Sequence, residues 1–132
     1  MEHRPPLLPP EQWRECETYL FGADLYNFAY WWEAHEIWES IWQSSDKSAP
    51  QGRFLQGLIQ ISAAHLKRHV GEREGVLRLL ERSHAHLDFV EPRVPAVYMG
   101  LALRGFRRSV DDYFANGPCA VYPHVTLQCG GC

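Results

Sequence analysis

The sequence predicts an all-α fold: a single bundle of about five helices, mostly antiparallel, followed by a short irregular C-terminal tail. Three observations support this. Apolar residues recur at helical spacing in five segments, no strand pattern is visible within residues 1–116, and Pro, Gly or small polar residues separate the segments. We therefore predict a helical domain over residues 1–116 and a tail containing Cys and His over residues 117–132.

The first two predicted helices follow a proline-rich lead-in. Glu11 opens a helical pattern that continues towards Leu25, and Asn27 suits a cap or a turn. The second helix is expected from Tyr30 to roughly Gln43. Four of the five tryptophans of the chain lie on this helix, at Trp31, Trp32, Trp38 and Trp42.

Clear breaks separate the remaining helices. Residues 44–52 combine small polar residues with Pro and Gly, which predicts an exposed loop. In residues 53–70 apolar side chains cover most of the helix circumference, so this helix should lie in the middle of the bundle with the second packed against it. Residues 72–90 form the fourth predicted helix, and the fifth runs from about 97 or 100 to 114.

Charge and hydropathy narrow the classes of function. A formal net charge of -3 gives no electrostatic attraction for phosphate backbones or anionic lipids. No segment reaches the ~18 uninterrupted apolar residues of a membrane span, and the N-terminus lacks the apolar core of a signal peptide. We expect a cytoplasmic protein with a small molecule as its partner, no nucleic-acid or membrane partner, and the capacity to form a homo-oligomer.

A group of chemically active side chains lies on the second helix. His35 and Glu39 are one turn apart on one face, where a His and a carboxylate can chelate a divalent metal such as zinc. Glu36 is then the candidate catalytic base for a metal-bound water, and His65 on the third helix is the candidate third ligand. The wall of this pocket is expected to consist of Trp31, Trp32, Trp38 and Trp42.

A structural interpretation of the same residues stays open. Glu39 can accept hydrogen bonds from His35 and from an indole N–H, which would make a satisfied polar network inside an aromatic core. Helical zinc proteases carry His-Glu-x-x-His, whereas position 39 here is Glu. The spacing alone does not decide between a metal site and a structural network.

Two motifs carry a resemblance to a known family. They are Trp32-Glu33-Ala34-His35-Glu36-Ile37-Trp38-Glu39 with Trp42, and Arg53-Phe54-Leu55-Gln56-Gly57-Leu58-Ile59-Gln60, preceded by Leu25-Tyr26-Asn27. The chain resembles domain-of-unknown-function family 309 over roughly residues 15–90, small all-helical proteins sometimes labelled predicted metal-dependent hydrolases. The resemblance implies an all-α bundle with His35, Glu36 and Glu39 as the site, and includes Gln56 and Gln60 as motif residues.

The tail offers a second candidate metal site. Cys119, His124, Cys129 and Cys132 have the spacing C-x4-H-x4-C-x2-C, and three thiols with one imidazole can close a tetrahedral zinc site. A disordered or redox-labile tail, and a tail that folds over the second helix and shares a metal with His35, are the alternatives.

Two functional hypotheses follow from these residues. The first is a metal-dependent hydrolase in which His35, Glu39 and His65 hold the ion and Glu36 moves protons. The second is a non-enzymatic module that binds a small ligand or a partner protein in a tryptophan-lined groove.

Overall fold

A computed structural model describes residues 5–116 and 122–128 and confirms the all-α fold. In chain order the elements are a 3₁₀ turn at Pro10–Glu15, α1 (Glu17–Asn27), α2 (Trp31–Trp42), α3 (Pro50–His69), α4 (Arg73–Val90), a 3₁₀ turn at Glu91–Arg93, β1 (Val97–Tyr98), β2 (Leu101–Ala102) and α5 (Leu103–Asn116). None of the helices in these two stretches combines the length and apolar character needed to cross a lipid bilayer.

The long helix α3 lies between α2 and α4, as its apolar circumference predicts, and ten of its twenty residues are buried. Against α2, the hydroxyl of Ser62 donates to the carbonyl oxygen of Trp31 at 2.9 Å, and at the opposite end Gly52 lies against the backbone of Asp46. The start of α2 therefore faces the second half of α3, and the two helices are antiparallel.

Helix α4 packs closely against α3 because Gly57 has no side chain at the crossing. Leu87 occupies the space that a Cβ on Gly57 would need, and the Ser83 hydroxyl donates to the Gly57 carbonyl oxygen at 3.0 Å. Helices α1 and α2 meet in a similar way: Trp38 lies against Gly22 and donates its indole N–H to a carbonyl of α1. Close backbone approach at two glycines thus sets the spacing of both helix pairs.

The expectation of no strand within residues 1–116 is wrong at one place. Strands β1 and β2 pair in antiparallel register, with Val97 opposite Ala102, and the last predicted helix begins only at Leu103. The two residues between the strands, Met99 and Gly100, have φ values of 48° and 81°. A tight hairpin turn with positive φ at both central residues matches the right-handed twist of the strands. Asn-Gly usually forms this turn, so the Met-Gly sequence did not indicate a hairpin.

Two helix starts also differ from the prediction. The predicted first helix is divided into a 3₁₀ turn and α1, because Cys16 has ψ near 87° and interrupts the helical backbone. Helix α3 begins at Pro50, inside the predicted loop. Proline suits the first position of a helix because the N–H that it lacks would have no partner inside the helix there.

Candidate functional site

The candidate site lies on an exposed face of α2. Ala34, Trp38 and Ile41 are fully buried and hold the opposite face of the helix against the bundle. This orientation leaves a trough of about 300 Å³, whose wall is made of Trp32, His35, Glu36, Glu39, Ser40 and Gln43. The spacing of these residues is that of one helix face, so the sequence pattern of α2 alone positions them.

His35 and Glu39 form the polar centre of this trough. His35 Nε2 lies 3.5 Å from Glu39 Oε2, and the two side chains are 22% and 42% exposed. The imidazole is stacked on the indole of Trp32, with ring centroids 5.5 Å apart and planes 11° apart. His35 Nδ1 is buried and has no hydrogen-bond partner in the described part of the protein.

The four tryptophans do not form one pocket wall, which corrects the sequence-based expectation. Trp32 lines the trough and is 54% exposed. Trp38 is fully buried against α1, Trp31 is stacked on His65, and Trp42 lies under the ammonium group of Lys47. Their helical positions explain the difference: Trp31, Trp38 and Trp42 are spaced i, i+7 and i+11 along the side of α2 that packs on the bundle, whereas Trp32 lies about 100° away, on the side of the trough.

His65 is not brought to His35 and Glu39. Its ring is stacked on Trp31 with centroids 3.9 Å apart, and its Nε2 lies 2.9 Å from the hydroxyl of Tyr26. Trp31 of α2 lies beside Ser62 of α3. Because the two helices are antiparallel, His35 lies from this contact towards the start of α3, whereas His65 lies towards the end of α3. At 1.5 Å per residue the two imidazoles belong to levels about 10 Å apart along the helices.

The predicted metal triad of His35, Glu39 and His65 is therefore absent from this face. Within residues 5–116 and 122–128, no three His, Cys, Asp or Glu side chains come together in a group that could hold a metal ion. Catalytic zinc sites use three protein ligands and an open position. At this face the described residues supply the His35–Glu39 pair, which is two of the three protein ligands of such a site.

His65 instead belongs to a buried aromatic cluster. Burial, with a smaller contribution from the nearby Arg68 guanidinium, lowers the pKa of His65 to about 3, so the ring is neutral at physiological pH. Burial also raises the pKa of Tyr26 well above its ordinary value, so its phenol keeps its proton and can donate to the imidazole. This pair is a satisfied core interaction, the structural alternative for a histidine on an apolar face.

Residues 122–128 pack against this cluster. The side chain of Asn27 donates to the Val125 carbonyl oxygen at 3.0 Å and accepts from the Val125 N–H at 2.7 Å. The Tyr122 hydroxyl donates to the Asn27 carbonyl oxygen, and its ring meets Trp31 edge-on. Asn27, expected only to cap or turn the chain, thus fixes part of the C-terminal region.

The predicted zinc site of the tail stays a prediction. His124 is exposed and its ring is stacked on Tyr122 at 4.7 Å. The other three candidate ligands, Cys119, Cys129 and Cys132, lie outside the described residues.

Sequence reasoning missed one residue of the trough and misjudged another motif residue. Ser40 lies one turn after Glu36, so helical spacing from that carboxylate could have found it. Helical spacing places Gln60 on one stripe of α3 with Gln56 and Lys67, which predicts a solvated position, yet its Oε1 is buried and has no hydrogen-bond partner among the described residues. No periodicity signal distinguishes a half-buried amide from a solvated one.

Comparison with known protein families finds a match for part of the chain. Residues 19–79, which include most of α1, all of α2 and α3 and the beginning of α4, match the family model described as "Domain of unknown function (DUF309)". No curated protein matched the sequence. The matched segment includes every residue of the trough wall.

Proposed function

Residues 19–79, which contain the whole trough wall, match the DUF309 family model, and we propose that this protein is a binding module whose trough on α2 takes a small organic cation. One observation carries this proposal: two carboxylates, Glu36 and Glu39, and the exposed indole of Trp32 line the same trough. Carboxylates attract a positive charge directly, and the face of an indole attracts it through the ring quadrupole.

The charge of the surrounding chain supports a cationic ligand. Between Glu15 and Asp46 the sequence has seven acidic residues and no Lys or Arg. The first cation after this stretch, Lys47, lies over the Trp42 ring at 4.7 Å and donates to the carbonyl oxygen of Gln43 at one end of the trough. The protein thus already places an ammonium group on an indole there, while the Trp32 end remains open.

Titration with choline and spermidine tests this proposal. The Trp32 indole N–H resonance in an NMR spectrum should shift in a saturable way, with acetate as the negative control. The Glu36→Gln/Glu39→Gln double variant should weaken binding about tenfold, the equivalent of about 1.4 kcal/mol. Glu33→Gln is the matched control for a single charge change, because Glu33 is an exposed carboxylate of α2 that does not line the trough. Equal weakening by Glu33→Gln, or no saturable shift in the wild type, would contradict the proposal.

A metal-dependent hydrolase is the second candidate. Its support is the 3.5 Å His35–Glu39 pair with Glu36 on the same wall. Elemental analysis of protein prepared without chelators separates the two functions. Stoichiometric zinc that disappears in His35→Ala but persists in Glu33→Gln would favour the hydrolase, and absence of metal from the wild type would exclude it.

A further inference from the structure

The outer face of α1 carries an alternating acidic and aromatic stripe. Glu17, Phe21, Asp24 and Phe28 follow one another at intervals of four, three and four residues, so they lie on one face of the helix, with Phe28 at its C-cap. All four are exposed, and Phe21 and Phe28 are 52% and 75% exposed. We call these four residues, with the exposed Tyr30 of the next turn, the α1 stripe.

Exposed aromatic rings at this density need an explanation, because apolar groups of this size are normally packed inside. Large exposed apolar patches with a polar rim are typical of interaction sites. The other face of α1 is fully used, since Tyr19, Gly22, Ala23 and Tyr26 are buried in the bundle. The α1 stripe is therefore additional to the core packing and separate from the trough on α2.

Charge selects the occupant of this surface. Residues 15–46 carry seven acidic side chains and no Lys or Arg, whereas residues 47–116 carry eleven Lys or Arg and seven acidic side chains. Within the α1 stripe both charged residues, Glu17 and Asp24, are acidic, so the stripe attracts a partner of positive charge and repels anionic lipid headgroups. We propose that the α1 stripe docks a basic amphipathic segment of another protein, whose Lys or Arg side chains pair with Glu17 and Asp24 while its apolar side chains cover Phe21 and Phe28.

A second copy of this chain fits the stripe less well. Many of the arginines of the basic half have internal partners: Arg107 pairs with Asp88 and Glu91, and Arg93 lies over Phe89. The exposed face of α4 mixes signs, with Glu81 next to Arg82. Self-association of the α1 stripe with a basic face would join two different faces of identical chains. Such contacts either close into a ring or continue as a filament with one free face at each end.

The test uses a synthetic helical peptide of leucine and lysine as the probe. A fluorescently labelled peptide should bind the wild-type protein saturably and more weakly as salt rises, since salt screens exposed charges. The Phe21→Ala/Phe28→Ala double variant should bind about tenfold more weakly, as for truncated aromatic residues in interfaces. Asp24→Asn should lower both the affinity and its salt dependence. The changed side chains are exposed, and circular dichroism would verify the fold of each variant.

Leu77→Ala is the matched control, because Leu77 is an equally exposed apolar residue at 59% but lies on α4. Unchanged affinity in Leu77→Ala together with the loss in the α1 variant supports the proposal. Equal loss in both variants, or no saturable binding to the wild type, overturns it. Binding to phosphatidylcholine vesicles in place of the peptide would overturn it in favour of a lipid surface. A dimer in light scattering that Phe28→Ala dissociates would overturn it in favour of self-association.

Discussion

Gly22 and Gly105 are both helical glycines, but a methyl group meets different surroundings at each. A Cβ on Gly22 would overlap the indole of Trp38, whereas nothing lies within 4 Å of a Cβ on Gly105. We expect Gly22→Ala to destabilise the fold by about 1–3 kcal/mol through overpacking. Gly105→Ala should stabilise it by up to about 1 kcal/mol, because Gly is a poor helix former. Urea unfolding measures both, and equal effects would refute the proposed contact between Gly22 and Trp38.

The buried His65 predicts a pH dependence of stability. Its pKa falls from the ordinary 6.5 to about 3 on folding, so between these pH values the unfolded chain binds a proton that the folded chain does not. The free energy of unfolding should therefore decrease as pH falls through this window. Burial also lowers the pKa of His86, which makes stability decrease with falling pH in the same way. The contribution of His65 is therefore isolated by comparing the wild type with a variant that lacks this histidine.

His65→Gln should have a shallower dependence of unfolding free energy on pH between about 6.5 and 3. His69→Gln is the control for replacing a histidine of the same helix, since His69 is exposed at the end of α3. Urea unfolding at a series of pH values gives the slopes. The same slope in His65→Gln and the wild type would show that another group causes the dependence.

At the residue scale, the sequence predicted which residues of α2 lie together in the trough, but it did not predict which residues of α3 lie near them. His35, Glu36 and Glu39 share a local helical face, and a 3.6-residue period is enough to place them together. His65 belongs to another helix, and its position relative to His35 depends on the level at which α2 and α3 pack. That level is set by contacts such as Ser62 with the Trp31 carbonyl, which have no signature in a single sequence.

At the scale of elements, the ends of α1 and α3 use the same turn with different residues. After α1, Ala29 has φ 65° and the Tyr30 N–H donates to the Leu25 carbonyl oxygen. After α3, Gly71 has φ 80° and the next N–H makes the equivalent bond to Lys67. Both are Schellman turns, in which the left-handed position favours glycine.

Exchanging these residues tests the role of the left-handed conformation. Ala29→Gly should stabilise the protein by about 1 kcal/mol by removing the Cβ strain, and Gly71→Ala should destabilise it by about the same amount. Nothing lies within 4 Å of a Cβ on Gly71, so the second effect would come from the backbone alone. Thermal unfolding of both variants measures the effects. A change of the same sign in both would contradict this explanation.

Helices were more predictable than their connections for a physical reason. The apolar period of α2 or α4 extends over several turns, so an error at one residue does not remove the signal. The β1–β2 hairpin has two residues in each strand, too few for an alternating pattern to appear. Its formation depends on tertiary contacts, among them the hydrogen bond from the Tyr19 hydroxyl to the Met99 carbonyl oxygen.

At the scale of the whole molecule, Asn27 connects the first helix to residues near the C-terminus. Its side-chain amide donates to the Val125 carbonyl oxygen and accepts from the Val125 N–H, ninety-eight residues away in sequence. Leu127 forms a further bridge to Leu101 of β2. The segment at 122–128 is therefore held at two places: by the Asn27 side chain at Val125, and by the contacts of Leu127 and Gln128 with Leu101 and Gly100.

Asn27→Ala should loosen this segment at Val125 without disturbing α1, because alanine favours a helix and the backbone bonds at the end of α1 remain. Loss of two half-buried hydrogen bonds should destabilise the fold by about 1–2 kcal/mol, and the Val125 amide should exchange with solvent faster. Asn116→Ala is the control, since that amide donates to the Asp112 carbonyl oxygen at the exposed end of its own helix and should change stability by less than about 0.5 kcal/mol. Amide hydrogen exchange measured by NMR reports Val125 directly. Because its N–H donates to the Asn27 side chain, undiminished protection in Asn27→Ala would mean that β2 and Tyr122 suffice to hold the segment.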